Sequence, residues 1–400
     1  MSRVSVVIPT YNSAGTVVRA IESVLAQTYQ NFELIVVDDG STDDTQQQVQ
    51  PYLNRLTYVW QENQERSAAR NHGITISRGE FIAFLDADDW WLPQKLEKQV
   101  AALESYPTAG IAYTWMFKAD RDENILGLLK DNRSNECIPG EEAFVDLALG
   151  RRLTGAGSTA LVRRSSLEAA GGFDVAIPGP EDWEFCMRIA LYGDVVCVPE
   201  PLAIYQLWNI PSLSKLDQRN VQEKHLQVLE KAFALAQEKG LVINPNLKRQ
   251  AWAHALFYGA LVDFYVGKYH SGSQRLVTAH EHWSDYFQGP GSQFVKTLAG
   301  VANTLWDTHT ALHDSRAFVD VVFAQFPTSL QYLQSYKRAV LGKLYASRVF
   351  TSDENEDSWR TVQAVCGAAY HQPSWLKNRG FWSIGARALG IAIKHKLLER

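Results

Sequence analysis

Phe81-Ile82-Ala83-Phe84-Leu85-Asp86-Ala87-Asp88-Asp89 runs five apolar residues straight into a segment carrying three acids. A short apolar run without alternation reads as a strand covered on both faces, the kind that a parallel sheet under helices needs. In open α/β sheets ligands bind beyond the carboxyl ends of the strands, which is where these acids fall. The same layout recurs upstream. Val4 to Ile8 is a strand stopped by Pro9; Glu33 to Val37 is a second, ending at Asp38-Asp39-Gly40; Leu56 to Trp60 is a third. Between them Val17, Ile21, Val24 and Leu25 repeat at helical spacing, with Asn12 or Ser13 placed to cap. Ser67 to Ile76 reads as another helix, Pro93 as the first turn of one through Leu103, and Gly110 to Trp115 as a strand. Strand–helix alternation predicts parallel strands joined by helical crossovers.

From about Asn220 long helical stretches take over, at Val221 to Lys239, Asn246 to Val266 and Gly291 to Leu312. The expected division is 1–215 for the α/β part and 216–400 for a mainly helical part. The 400 residues are 46% hydrophobic and 21% charged, the composition of a folded protein rather than a disordered one. A net charge of −5 supplies no basic field for nucleic acid, so no nucleic-acid partner is expected. Cys137, Cys186, Cys197 and Cys366 have no metal-type spacing and read as reduced thiols, which points to a cytoplasmic location. No signal-peptide layout is present, and Ala251 to Gly267 is interrupted by His254 and Asp263, so a membrane-spanning helix is not expected.

Five segments carry candidate chemistry. Asp86 and Asp88, one residue apart, can share a hard divalent cation; a solvated acidic loop is the plain alternative. In Asp38-Asp39-Gly40-Ser41-Thr42-Asp43 an ionised acid can accept an imide N–H or a ribose hydroxyl, or the stretch is simply a turn with caps. Tyr11, in Pro9-Thr10-Tyr11-Asn12, can stack on a base or pack at the sheet edge. In Ser67-Ala68-Ala69-Arg70-Asn71-His72-Gly73 small residues allow close packing on the sheet, and Arg70 is either a phosphate ligand or a surface arginine. In Gly179-Pro180-Glu181-Asp182-Trp183 a partly desolvated carboxylate can act as a general base, or the acids cap a helix. His280-Glu281-His282 has helical i,i+2 spacing, which does not share a face, and reads as surface.

As an ordered set these segments, with Gly171-Gly172-Phe173-Asp174, resemble the inverting family-two glycosyltransferases over about residues 3–210. The resemblance implies the GT-A fold, an α/β architecture with a Rossmann-like mixed sheet and flanking helices, here followed by a mainly helical C-terminal region. It implies a nucleotide-sugar donor, with a UDP-sugar favoured, and Mn²⁺ or Mg²⁺ as cofactor. By position Pro9, Thr10, Tyr11, Asp39, Arg70 and Asp86 would bind the nucleotide sugar, Asp88 would ligate the metal, and Asp182 would be the catalytic base. Two departures stand out. Glu65 occupies a position where such proteins often carry Gly, and Tyr205-Gln206-Leu207-Trp208 replaces a common Tyr-Arg-x-His stretch. The Gln-x-x-Arg-Trp motif of processive synthases is absent, which implies transfer of one sugar, with a glycan or lipid-linked acceptor in cell-surface polysaccharide or glycolipid synthesis.

A sugar-phosphate nucleotidyltransferase is the second reading, disfavoured because Pro9-Thr10-Tyr11-Asn12 stands where a basic Gly-rich loop is usual. A non-catalytic GT-A scaffold is the third. The last 31 residues carry Lys377, Arg379, Arg387, Lys394, Lys396 and Arg400 against Glu399, beside Trp375, Phe381 and Trp382. Rings next to basic residues suit an anionic bilayer surface, so peripheral contact at the inner face of the membrane is one expectation. A docked helix with solvated basic residues is the other.

Overall fold

The computed structural model describes residues 3–131, 136–150, 156–207, 221–306, 312–349, 358–378, 381 and 383–389. Its sheet runs β3 (Thr57–Trp60), β2 (Phe32–Asp38), β1 (Val4–Thr10), β4 (Phe81–Phe84), β9 (Ala160–Arg163), β6 (Ala109–Ala119), β10 (Asp194–Gln206) and β5 (Trp90–Trp91). β7 (Ile125–Leu129) pairs with β6, and β8 (Cys137–Ile138) with β10. The pairs β3–β2, β2–β1 and β1–β4 are parallel, as the crossovers require. Beyond β4 the sheet becomes mixed, because β9 enters antiparallel to both β4 and β6.

The expected elements form with shifted ends. Pro9 does not stop β1, which continues to Thr10 with Pro9 opposite Val37. Pairing with β4 ends at Val7–Phe84, and Leu85 N then donates to Val7 O. Thr10 O faces β2, where it accepts from Asp39 N, so Pro9 turns its N-less side toward the space past the end of β4 and no ladder bond is lost. Neither Asn12 nor Ser13 caps α1 (Val17–Leu25), whose N-cap is Thr16. Asn12 instead sits at φ +50 and accepts from Thr42 N through Oδ1, tying the β1 loop to the β2 loop. The helix expected from Pro93 begins at Lys95 as α4 (Lys95–Ser105).

One face of the sheet packs α1 and α4 against Val4, Val6, Ile8, Leu34, Val36 and Phe81. The other carries α3 (Glu65–Ile76), which approaches very closely: a Cβ added at Gly73 would lie 2.3 Å from Val7 Cγ1. The run of small residues expected to allow this does so. Six short or medium helices complete this part: α2 (Thr45–Val49), α5 (Gly140–Ala148), α6 (Ala156–Thr159), α7 (Arg164–Ala170), α8 (Glu181–Ala190) and α9 (Val221–Glu238).

The described chain forms two compact units. The first contains the sheet and also α9, which lies past residue 215 in sequence; its Phe233 meets Phe144 at 5.8 Å and its Lys231 pairs with Asp174 at 2.7 Å. The second is helical, with Tyr269–His282, Gln293–Trp306, Leu312–Ala324, Lys337–Val349 and Ser358–His371. Its core is aromatic: Phe294 lies 5.1 Å from Phe257, 5.5 Å from Phe287 and 6.2 Å from Phe323. His280 is not a plain surface residue, since its Nε2 lies 2.8 Å from the Tyr332 hydroxyl and its ring packs on Phe287. Among the described residues no helix is long and apolar enough to cross a membrane.

Candidate active site

The loops after β1, β2 and β4 converge at the carboxyl edge of neighbouring strands. After β2 the two acids diverge. Asp38 is buried and accepts from Ser41 N at 2.8 Å and from the Tyr58 hydroxyl at 2.6 Å, which makes it part of the loop's frame. Asp39 accepts from Gln61 Nε2 at 2.7 Å and Gln64 N at 3.0 Å, both through Oδ1; its Oδ2 meets no donor among the described residues. Beside it Tyr11 is half exposed, and Thr10 Oγ1 is buried without a hydrogen-bond partner among the described residues. Tyr11 is therefore not packed at the sheet edge.

Arg70 organises the second group. It projects from α3 and is completely buried, which removes the surface-arginine alternative. Its Nη2 donates to Asp86 Oδ1 at 2.7 Å, and its Nη1 donates to Asp182 Oδ1 at 2.6 Å, with Glu181 Oε1 3.5 Å away. The ring of Phe173 lies 4.9 Å from the guanidinium carbon. Phe173 is held in turn by Asn71, whose Nδ2 donates to Phe173 O at 2.8 Å and whose Oδ1 accepts from Phe173 N at 2.7 Å. Here Gly172 is required, because a Cβ would stand 2.4 Å from Asn71 Oδ1. Arg70 was expected on the ribose and phosphate side of the donor; each of its terminal nitrogens donates to one of the two acids.

The same guanidinium has opposite outcomes on its partners. Burial alone would raise Asp86, but Arg70, then Arg66, hold its carboxyl below the usual range. For Asp182 burial dominates, helped by the charges of Glu181 and Asp86, and pushes the carboxyl up to about 6 despite Arg70. Burial likewise opposes the charge on Arg70, but Asp182, Asp86 and Glu181 outweigh it and keep the guanidinium ionised. Carboxyl groups whose affinities are driven apart by their surroundings are the usual mark of divided acid–base roles.

The acidic loop itself is anchored by its last member. Asp89 is buried, accepts from Ser158 Oγ and from Gln206 N (3.1 Å), and is pushed well above the ordinary carboxylate range by burial and by Asp88 and Asp86. Ser158 Oγ also accepts from Asp86 N at 3.2 Å. Asp88 is half buried, and its main-chain carbonyl accepts from Arg19 Nη2 at 2.8 Å. Gly157 lies directly over the acids: a Cβ there would be 3.1 Å from Asp182 Oδ2 and 3.3 Å from Asp86 Oδ2. Sequence reasoning did not single out Ser158, Gly157 or Arg19; a lone Ser, Gly or Arg outside any motif carries no signal. Glu181 both faces Arg70 and closes the turn before α8, where its Oε2 accepts from Gly179 N at 2.7 Å. Trp208 lies outside the described residues.

Among the described residues no group of three or more His, Cys, Asp or Glu side chains is placed to hold a metal ion by itself. Asp86 and Asp88 are nevertheless hard oxygen donors on one short loop, and Mg²⁺-type sites commonly use one or two carboxylates plus substrate phosphates. The donor set fits a divalent cation completed by a bound diphosphate.

Residues 5–171 match the description of glycosyl transferase family 2. An uncharacterized glycosyltransferase of Rickettsia conorii is 32% identical over 189 residues, 46% of this chain and 31% of that protein. The Escherichia coli UDP-Glc:α-D-GlcNAc-diphosphoundecaprenol β-1,3-glucosyltransferase WfaP is 38% identical over 107 residues, 26% of this chain and 43% of its own. The chain thus spans less than half the length of these curated relatives. Among solved structures, the mannosyltransferase PcManGT of Pyrobaculum calidifontis, in complex with GDP-Man and Mn²⁺, is 20% identical with a TM-score of 0.47 over 86% of each chain. S. aureus TarS 1–349 is 18% identical with a TM-score of 0.47 over 84% of this chain and 90% of its own. Through residues 5–171, this chain is similar to glycosyl transferase family 2.

Proposed function

We propose that the protein transfers one sugar from a UDP-sugar to a hydroxyl of a lipid-linked glycan acceptor, with inversion at the anomeric carbon. The observation that carries this reading is the Arg70 bridge between Asp86, held ionised, and Asp182, raised to about 6. A general base works best when its pKa lies near the operating pH. Asp182 takes the acceptor proton as that oxygen attacks the anomeric carbon. The sugar–phosphate bond breaks, its electron pair leaves with the diphosphate, and attack from the opposite side inverts the centre. Arg70 fixes Asp182 and Asp86 in place rather than meeting phosphate itself. Tyr11 stacks on the base and Asp39 Oδ2 accepts its imide N–H, with Pro9 and Thr10 shaping the wall. Asp88, with Asp86 beside it, would hold Mn²⁺ or Mg²⁺, which when bound supplies positive charge for the leaving diphosphate.

The donor and acceptor classes draw support from WfaP, whose name gives a UDP-Glc donor and a diphosphoundecaprenol-linked acceptor. Residues 1–215 would carry the chemistry and 216–400 would serve the acceptor side, with the basic tail meeting anionic lipid. The test is a transfer assay pairing UDP-sugars with a diphospholipid-linked sugar, with the product linkage read by NMR. Transfer should yield the anomer opposite to the donor's and should stop in excess chelator and in Asp88→Ala. Retention of configuration, or pyrophosphate release from a nucleoside triphosphate and a sugar phosphate, would replace this reading.

A further inference from the structure

The site gathers acids, yet the substrate proposed for it is an anion. Asp86, Asp88, Glu181 and Asp182 lie around it with Arg66 and Arg70 as the opposing charges nearest the cluster. Any phosphate entering here meets a negative wall unless a cation offers it free donors. Arg70 is fully buried, and each of its terminal nitrogens donates to a carboxylate of the cluster, Asp86 or Asp182. Arg19 is committed too. Its Nη1 donates to Glu123 at 2.8 Å, its Nη2 to Asp88 O and Gln206 Oε1, and its plane lies 3.7 Å from the Trp90 ring. Position 206 holds a neutral Gln, itself bonded to Arg19 and Asp120 O.

Arg66 differs from both. It stands in the first turn of α3, one helical turn before Arg70. Its Nη2 pairs with Glu181 Oε1 at 2.9 Å, which aims the guanidinium at the acid cluster. Among the described residues it has no other partner, so Nε and Nη1 remain as donors. The two sides of the pair are unequally covered: Glu181 is 2% exposed and the Arg66 side chain 43%. The carboxylate is thus a buried anchor, and the Arg66 side chain beside it is partly exposed. A guanidinium held through one nitrogen keeps its charge and further N–H donors for phosphate oxygens.

We propose that Arg66 is a diphosphate-binding residue of this site, presenting its remaining N–H groups to the anionic oxygens of a substrate diphosphate while Glu181 holds Nη2. The assignment rests on the reading of the site as a nucleotide-sugar site. Two substrates carry that chemistry, the leaving diphosphate of the donor and the diphosphate of a lipid-linked acceptor, and the experiment separates them. Titration calorimetry with UDP and with uridine, in Mn²⁺, is run on the unaltered protein, Arg66→Ala and Arg66→Lys. Transfer kinetics follow with acceptors that carry or lack a diphosphate.

If the donor is the partner, Arg66→Ala weakens UDP about tenfold or more, uridine is unchanged, and Arg66→Lys is intermediate because it keeps charge without the fork. If the acceptor is the partner, both nucleotides bind as before, and KM rises for the diphosphate acceptor alone. Equal losses for UDP and uridine would reduce Arg66 to a structural partner of Glu181 and overturn the proposal, as would no change in any arm. Failure of the unaltered protein to bind UDP would sink the nucleotide-sugar reading, and this assignment with it.

Discussion

Asp182 and Asp86 share one guanidinium and still titrate in opposite directions, because the balance of burial against charge differs at the two carboxyls. For Asp182 the consequence is a pH profile. A base must be ionised, and a carboxyl at about 6 is ionised above that value and protonated below it. The rate of transfer should therefore be flat above pH 7 and fall tenfold per unit below about 6. Asp182→Asn should abolish this limb, lower kcat by about 10² or more and leave UDP binding intact. A Glu181→Gln change that is more damaging to kcat would reassign the base. A second residue-level effect is conformational. Glu65 sits at φ +72, in the left-handed region, where such proteins often carry Gly. In a helix interior Ala is more stable than Gly by about 1 kcal/mol. At this position the order should reverse, with Glu65→Gly more stable than Glu65→Ala by about 1 kcal/mol in urea unfolding, since only Gly adopts that φ without strain.

At the scale of elements, α3 links the sheet to the site. Ala69 and Gly73 let it lie against β1, and Gly73 leaves room for the Val7 side chain. The closeness brings Arg70 under Phe173 and Asn71 within hydrogen-bond distance of the Phe173 backbone. Gly73→Ala places a carbon 2.3 Å from Val7 Cγ1, which outweighs the helix propensity it gains. It should cost about 1–3 kcal/mol, the scale of overpacking. Combining it with Val7→Ala should cost less than the sum of the two single changes; strict additivity would mean the contact does not limit the packing. The acidic loop after β4 is set by long-range bonds of the same kind. Asp89 reaches Ser158, 69 residues on, and Gln206, 117 residues on.

At the scale of the molecule, the question is what the helical unit adds. Of the basic tail, residues 379, 380, 382 and 390–400 lie outside the described residues. Of the rings read as bilayer anchors, Phe381 is buried and Trp375 stacks on it at 5.6 Å, so these two serve packing. Charge is a separate term that can bind a membrane, at about 1 kcal/mol per basic residue near an anionic surface. Replacing Lys377, Lys394 and Lys396 together by Gln should reduce co-sedimentation with phosphatidylserine vesicles at least about tenfold at low salt, with transfer to a water-soluble acceptor unchanged. Equal sedimentation of the two proteins would remove the tail from acceptor delivery.

The strands, their acidic ends and the small-residue face of α3 were legible in the chain because each is a local pattern. Hydrophobic runs, spacing and residue size are properties of a few consecutive positions. The same locality explains the errors at Pro9, Asn12 and Pro93, where pairing and loop-to-loop bonds overrode a local signal. The sequence could also nominate Asp39, Asp86, Asp88 and Asp182, since each follows a strand or opens a helix. It could not say that Arg70 would be buried, that Asp38 would be framework and Asp39 left with a free oxygen, or that Asp86 and Asp182 would be driven apart. Those outcomes depend on how much solvent and which charges surround each group, and residues 70 and 182 meet across 112 positions of chain. Burial and Coulomb energy act through space, so only the folded arrangement decides which acid keeps its proton.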